Sequence, residues 1–348
     1  MAKFILQRIG IMVLTAVCLT FIVFFLTNLS PNLEKLAKTQ GNFRMSDAEV
    51  ETYLYNNGYL QPMFVKYGQW LGVLPGYVIE GTDGTVRSKC DVETGEPDPD
   101  PAFCGVFQGD WGTSTVIKGD VLTIIKEKLA LSATLMVWVM LVMVPLSLSL
   151  GVLAGMREGS RTDRTLSTFS IVTTATPEYV SGILFIAIFA SSAVGLQWFK
   201  GSATSAMEAV TFQNFFLPVI TVAAYGSGYI ARMTRASMAE VMTSQYIRTA
   251  RLKGVSTTNI VLKHAFRNAM IAPFTVIMLQ FPWLLNGVVI VETLFNYKGL
   301  GWALVLSAAN NDVELLLGIS VVSVVVVLVT QLISDVGYAY LNPRIRVQ

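Results

Sequence analysis

Residues 9–29 read IGIMVLTAVCLTFIVFFLTNL, twenty-one residues without one charged side chain. A helix needs about 20 mostly apolar residues to cross roughly 30 Å of hydrocarbon, so this stretch predicts a membrane span. It is longer than the apolar core of a secretory signal, and no small-x-small cleavage site follows it, so the helix is expected to be retained. Five further stretches qualify, near 130–156, 168–194, 215–236, 270–293 and 313–338. The composition agrees: 53% of the 348 residues are hydrophobic and 14% charged, against about 25% charged in soluble domains. The expected fold is an all-α integral membrane protein with six transmembrane helices and both termini on one side. The chain divides into a first helix (1–29), an outer segment (30–129), a five-helix core (130–338) and a tail (339–348).

Charge placement gives the orientation, because cytoplasmic loops retain Lys and Arg. Lys3 and Arg8, then Arg157, Arg161 and Arg164, then seven bases from Arg232 to Arg267, then Arg344 and Arg346 make fourteen bases. They meet only Glu158, Asp163, Glu240 and Asp335, whereas residues 30–129 hold nine bases and fourteen acids. Both termini are therefore expected in the cytoplasm, with 30–129 outside.

In the outer segment, residues 46–71 open with a capping serine and carry apolar residues at helical spacing, predicting one or two short helices. Residues 75–105 are rich in Pro, Gly and Asp and predict an irregular excursion with a hairpin at 82–85. Cys90 and Cys104 fall within it. An oxidising exterior permits a disulfide between them; two thiolates awaiting a metal is the rival reading, for which no further Cys or His ligand lies nearby. Cys18 reads as a packing residue of the first span.

No Gly-Lys dipeptide occurs in the chain, so a phosphate-cradling GxxxxGK[ST] loop is excluded. The single histidine, His264, excludes an HExxH zinc site. No catalytic residues and no metal site are predicted, and an enzyme has no constellation to stand on.

The segment 246–273, YIRTARLKGVSTTNIVLKHAFRNAMIAP, is cationic and has no acid. It predicts two short helices, the first closed by Gly254 in the left-handed C′ position and the second capped by Ser256. Ile260, Val261, Ala265, Phe266, Ala269 and Met270 form its apolar stripe. Within the third predicted span, Glu178 follows Pro177; a carboxylate at such depth costs about 2.5–3.5 kcal/mol and must face water, a partner or a cavity. Path lining and a structural contact are both open. Gln280, Trp283 and Asn286 share one face of the fifth span, and Tyr225 and Tyr229 one face of the fourth; they line the path or pack a helix seam. Glu292 stands at an external gate or at a helix end.

The run Tyr-x-Arg-Thr-Ala-Arg-x-Lys-Gly-Val-Ser from Tyr246, followed by Leu-Lys-His-Ala-Phe-Arg-Asn-Ala, resembles the cytoplasmic loop of ABC importer permeases of the dipeptide/oligopeptide family. Arg248, Thr249, Ala250 and Gly254 occupy the places of that family's EAA pattern and its glycine. Four further motifs resemble it in order: Asn57-Gly58-Tyr59-Leu60-Gln61-Pro62 with Tyr67 and Trp70, Gly109-Asp110-Trp111-Gly112-Thr113-Ser114, Glu292-Thr293-Leu294-Phe295 with Gly299-Leu300-Gly301, and Asp335 through Asn342-Pro343-Arg344. The stretch between Trp70 and Gly109 is longer than the family's usual one. The resemblance implies a coupling segment at 237–269, in which Arg248, Thr249, Ala250, Arg251, Lys253 and Gly254 dock on a cytoplasmic ATPase. It implies as partners a second homologous permease, two ATPase subunits or domains, a periplasmic or lipid-anchored binding protein and membrane lipid, with no nucleic acid. ATP and Mg would sit on the ATPase subunits and no cofactor on this chain. The location implied is the bacterial inner membrane. Peptides are the first substrate class; oligosaccharides, opines, glutathione or nickel are alternatives, and an ion-coupled secondary transporter is a distant one.

Overall fold

The computed structural model describes residues 2–81, 84–90, 102–192 and 196–341, with side chains for all of these but 2–4, 285–287 and 338–341. Helix α1 (Ala2–Thr27) leads to three short helices, α2 (Ser30–Gln40), α3 (Asp47–Asn56) and α4 (Met63–Leu71). Two antiparallel two-stranded ladders follow, β1 (Val78–Glu80) with β2 (Val86–Ser88) and β3 (Thr113–Ser114) with β4 (Gly119–Asp120). Next come α5 (Val121–Gly155), α6 (Arg161–Ala175), α7 (Glu178–Phe189), α8 (Phe212–Met242) and α9 (Gln245–Leu252). The short α10 (Thr257–Asn259), a π-helical turn (Ile260–Ala265) and α11 (Phe266–Ala269) lead to α12 (Ile271–Leu294), α13 (Leu300–Ala309) and α14 (Val313–Leu341).

Among the described residues, four helical stretches are long and apolar enough to cross a membrane: Ile5–Thr27, Val121–Gly155, Phe212–Met242 and Val313–Gly337. Two bent pairs raise the number to six if each is one span: α6 with α7, bent by 105°, and Ile271–Leu284 with Val288–Leu294, bent by 51°. The third predicted span is therefore not one rod. Pro177 lacks an N–H and disfavours helical geometry in the residue before it; Thr176 accordingly turns extended, at φ −88° and ψ 118°. The 12 residues of α7 reach only about 18 Å, too short to cross alone.

The chain forms two compact units. The larger comprises Met1–Ile9, Ala130–Trp302 and Val326–Gln348. Its core joins Leu135, Val139 and Met143 of α5 to Phe215, Val222 and Ile230 of α8 and to Val276, Leu284 and Val291 of α12. Arg8 pairs with Asp335 at 3.1 Å, tying the start of α1 to the end of α14.

The smaller unit comprises Gly10–Leu129 and Ala303–Val325. Ser46 and Glu49 form a reciprocal capping box that starts α3. Aromatic packing holds α4 on α1: Tyr67 and Trp70 lie 5.3 and 5.6 Å from Phe24, and the Tyr67 hydroxyl meets Thr20 Oγ1 at 2.7 Å. Ser114 donates to the buried Asp312 at 2.6 Å, as does Val116 N–H at 3.1 Å. The carboxylate of Asp312 thus anchors the 109–114 motif to the start of α14. Of the predicted excursion 75–105, the β1–β2 ladder is seen, while residues 82, 83 and 91–101 lie outside the described residues.

Cys90 and Cys104 are joined by a disulfide with Cα atoms 5.7 Å apart. Closing a loop of this length stabilises the folded state by about 3 kcal/mol in the chain-entropy view. Replacing both cysteines by serine is expected to lower the unfolding temperature of the smaller unit and to speed its proteolysis by several-fold. Unchanged protease resistance would contradict that contribution.

Candidate functional site

Helix α8 is the axis on which the larger unit is built. In its most apolar window 72% of residues are buried, against 11% in α1 and 17% in α14, and α6, α7 and α12 all pack on it. Two residues after α8 ends, the chain enters α9, so the cationic segment is a direct extension of the most enclosed helix.

Helix α9 is amphipathic in a way that sets its orientation. Ile247 is fully buried and packs with Met238, Ile260, Val261, Ala265 and Ala269. Ala250 and Val255 rest partly buried on the same cluster. Arg248, Thr249, Arg251, Leu252, Lys253 and Gly254 are all exposed. Gly254 closes the helix at φ +74°, with its own N–H on Arg251 O at 3.0 Å and Val255 N–H on Ala250 O at 3.2 Å. That double bond pattern is the Schellman ending, which glycine adopts without a Cβ penalty. Ser256 Oγ then accepts from Asn259 N–H at 3.4 Å and starts the next turn. On the far side of the turn Lys263, His264 and Arg267 are exposed, and Asn268 Nδ2 donates to the Tyr246 hydroxyl at 3.0 Å.

Two of the residues grouped together by sequence thus separate. Ala250 faces this chain's own interior, and a Cβ at Gly254 would meet nothing within 4 Å. The reason for glycine visible within this chain is the left-handed backbone. The bases, by contrast, enter no ion pair among the described residues; they form an outward cationic surface around the exposed Leu252.

The seven bases counted from Arg232 to Arg267 are not equivalent. Arg235 forks onto the buried Asp163 through Nε and Nη2 at 2.7 and 2.8 Å, with Glu158 at 3.6 Å. Asp163 also accepts from Gly159 N–H at 2.9 Å and Ser167 Oγ at 3.1 Å. This clasp ties α6 to α8 in a bidentate geometry suited to Arg and not to Lys. Sequence reading registered both groups only as charges; the hint was that Asp163 is one of four acids among fourteen bases.

The residues grouped as a candidate path only partly converge. Tyr225 of α8 and Trp283 of α12 stack with ring centroids 5.1 Å apart, and Gln280 is buried a turn away. Tyr229 is exposed, and the side chain of Asn286 lies outside the described residues. Glu178 is the first residue of α7, half-buried, and among the described residues no hydrogen bond or ion pair joins it to that group. The positive end of the α7 dipole lies beside its carboxylate, which offers a structural reason for an acid at this position.

Glu292 is fully buried. Its carboxylate accepts a short hydrogen bond from Ser132 Oγ and another from Trp302 N–H at 2.9 Å, while Ser132 Oγ accepts from Leu300 N–H at 2.7 Å. It therefore caps α13 and ties that helix to α5. A Cβ at Gly299 would collide with Glu292 and Ser132, and one at Gly301 would lie 2.6 Å from Val289 Cα. The spacing from Glu292 to the two glycines is thus the imprint of one tight turn.

Residues 147–347 match the family of binding-protein-dependent transport system inner membrane components. The chain belongs to this family. The matched region contains the Asp163–Arg235 clasp, α9 with its glycine ending, and the Glu292 turn. The chain is 32% identical over 282 residues to a probable peptide ABC transporter permease of Sinorhizobium fredii, covering 78% of this chain and 89% of the relative. It is 30% identical over 308 residues to the oligopeptide transport system permease AppB of Bacillus subtilis, covering 87% and 86%. With the glutathione transport system permease GsiC of Salmonella typhimurium it shares 36% identity over 245 residues, covering 69% and 76%. The protein is an ABC importer permease of the inner membrane, a transport component and not an enzyme.

Proposed function

We propose that this permease passes peptides, or solutes of similar chemistry, from an external binding protein into the cytoplasm by alternating access, driven by ATP hydrolysed on separate subunits. The observation that carries the reading is α9. A short helix is clamped to its own chain by Ile247 and turns unpaired bases outward. Such a surface suits an acidic or carbonyl-lined groove on an ATPase subunit. Seated on α8, the most enclosed helix, through Ile247 and Met238, it can pass a displacement into the membrane frame as a two-state lever. Lipid anchoring alone accounts for the charge but gives no role to a rigidly seated helix.

In this reading 30–129 lies outside, both termini lie in the cytoplasm, and each broken helix pair counts as one crossing. No cofactor resides on this chain; ATP and Mg belong to the ATPase subunits. A second homologous permease completes the transporter. Relatives named for peptide, oligopeptide and glutathione transport favour a peptide-like solute.

Copurification and reconstitution test the proposal. The chain is expected to copurify with a second permease and ATPase subunits, and uptake into vesicles is expected to need ATP and a binding protein. Uptake by the purified chain alone, down an ion gradient, would overturn it. For the path, Glu178→Gln is expected to reduce uptake of cationic peptides several-fold more than that of neutral ones. An identical loss for both classes would assign Glu178 to the helix end and remove it from the path.

A further inference from the structure

Two adjoining hollows lie within the smaller unit. The inner one, of about 130 Å³, is lined by Asn28, Tyr59, Lys66, Tyr77, Lys89 and Glu314 among others. The outer one, of about 490 Å³, shares Trp70, Lys89 and Glu314 with it and runs past the Cys90–Cys104 disulfide to Asp110 and Trp111. The first has about four water molecules' share of liquid volume; the second falls in the size range of small-molecule pockets.

Their charges are arranged unequally. Lys89 and Glu314 border both hollows, while Lys66 borders only the inner one and Asp110 only the outer, so the two ammonium groups and two carboxylates balance in number but Lys66 and Asp110 lie at opposite ends. Lys66 is buried, and its one hydrogen bond among the described residues goes to Asn28 Oδ1 at 3.1 Å. An ammonium has three donors, so capacity remains for an acceptor in the cavity. Lys89 Nζ donates to Gln69 O at 2.5 Å and to Cys104 O at 3.4 Å. Burial pushes both amines below the usual lysine range. Glu314 stands in the first turn of α14, and among the described residues no hydrogen bond or ion pair reaches its carboxylate. Lys89 is thus satisfied by carbonyls, and Asp110 is exposed and accepts from Gly112 N–H at 3.1 Å, which leaves, among the described residues, the buried Lys66 with unused donors and Glu314 without a hydrogen bond. Charged groups withdrawn from water are expensive unless partnered, and a ligand with a negative end for Lys66 and a positive end for Glu314 would partner both.

We propose that the smaller unit binds a small zwitterion, its carboxylate on Lys66 in the inner hollow and its ammonium between Glu314 and Asp110 in the outer one. The aromatic walls, Tyr59, Tyr77 and Trp70, enclose the carbon chain between the two ends. This binding is independent of the transport reading above, because it needs neither ATP nor a translocation path.

Calorimetric titration of the permease–ATPase complex in lipid nanodiscs, without ATP or binding protein, tests it with glycine, β-alanine and 4-aminobutyrate. Acetate and methylammonium serve as the two half-ligands. At least one zwitterion is expected to bind saturably and at least tenfold more tightly than either half-ligand. Lys66→Met and Glu314→Gln are each expected to weaken that binding at least tenfold. The proposal is overturned if none of the three binds saturably, as a merely hydrated cavity would behave, or if acetate or methylammonium binds as well. It is equally overturned if the Lys66→Met variant keeps full affinity. Should either variant fail to fold, the comparison of whole and half ligands on the unmodified protein decides.

Discussion

Replacing Arg248 and Arg251 together by glutamate is expected to reduce ATP-driven uptake at least a hundredfold while leaving the protein inserted. Both side chains are exposed and make no ion pair among the described residues. Exposed substitutions of this kind shift stability by about 0.5 kcal/mol, with up to about 1 kcal/mol more where an acid replaces a base in the last helical turn. The fold therefore has little to lose. At a docking surface the balance reverses, since breaking a buried charged contact costs about 2–5 kcal/mol, and each 1.4 kcal/mol is about tenfold in affinity. Arg161 and Arg164 are exposed bases of the same side in the charge census and serve as the control. If the bases only fix topology, reversing that pair will do equal harm. If α9 docks, uptake will survive there and fail at α9. ATPase activity that no longer responds to substrate, with the complex falling apart in detergent, is the accompanying sign.

Glu292→Ala is expected to destabilise the larger unit by about 3–5 kcal/mol, seen as a large fall in melting temperature in detergent. The truncation leaves Ser132 Oγ and Trp302 N–H without their acceptor in a fully buried site. Each buried unsatisfied group costs about 1–3 kcal/mol, and a cavity adds to that. Glu292→Gln keeps the shape and one oxygen acceptor, so it is expected to lose less than half as much. A gate residue would behave differently: both variants would melt normally and only transport would change. Normal melting of the alanine variant would contradict the helix-capping role.

Much of this was legible in the chain because it rests on local rules. Residues 9–29 are apolar without interruption, so length alone marks a span. Gly254 and Ser256 sit where one helix must stop and another start, and the stripe from Ile260 to Ala269 shows which side turns inward. What escaped sequence reading depends on residues far apart in the chain. Asp163 and Arg235 are 72 positions apart, and Ser132 and Glu292 are 160 apart, so no spacing rule links them. Pro177 marks a break within 168–194, but the size of the turn there, 105° between α6 and α7 with Thr176 extended, is set by packing that the sequence does not display. The inward turn of Ala250 was also hidden, since it follows from the seat formed by Val255 and the π-helical turn beyond it.

The central claim is that α9 is the contact through which the energy source acts. Leu252, 82% exposed at the end of α9 between the bases, is the position from which to read it. A photo-crosslinking residue placed there in the assembled transporter is expected to attach to the ATPase subunit, with a yield that changes when ATP is bound. Attachment to phospholipid instead, in complexes that still contain the ATPase subunit, would contradict the account.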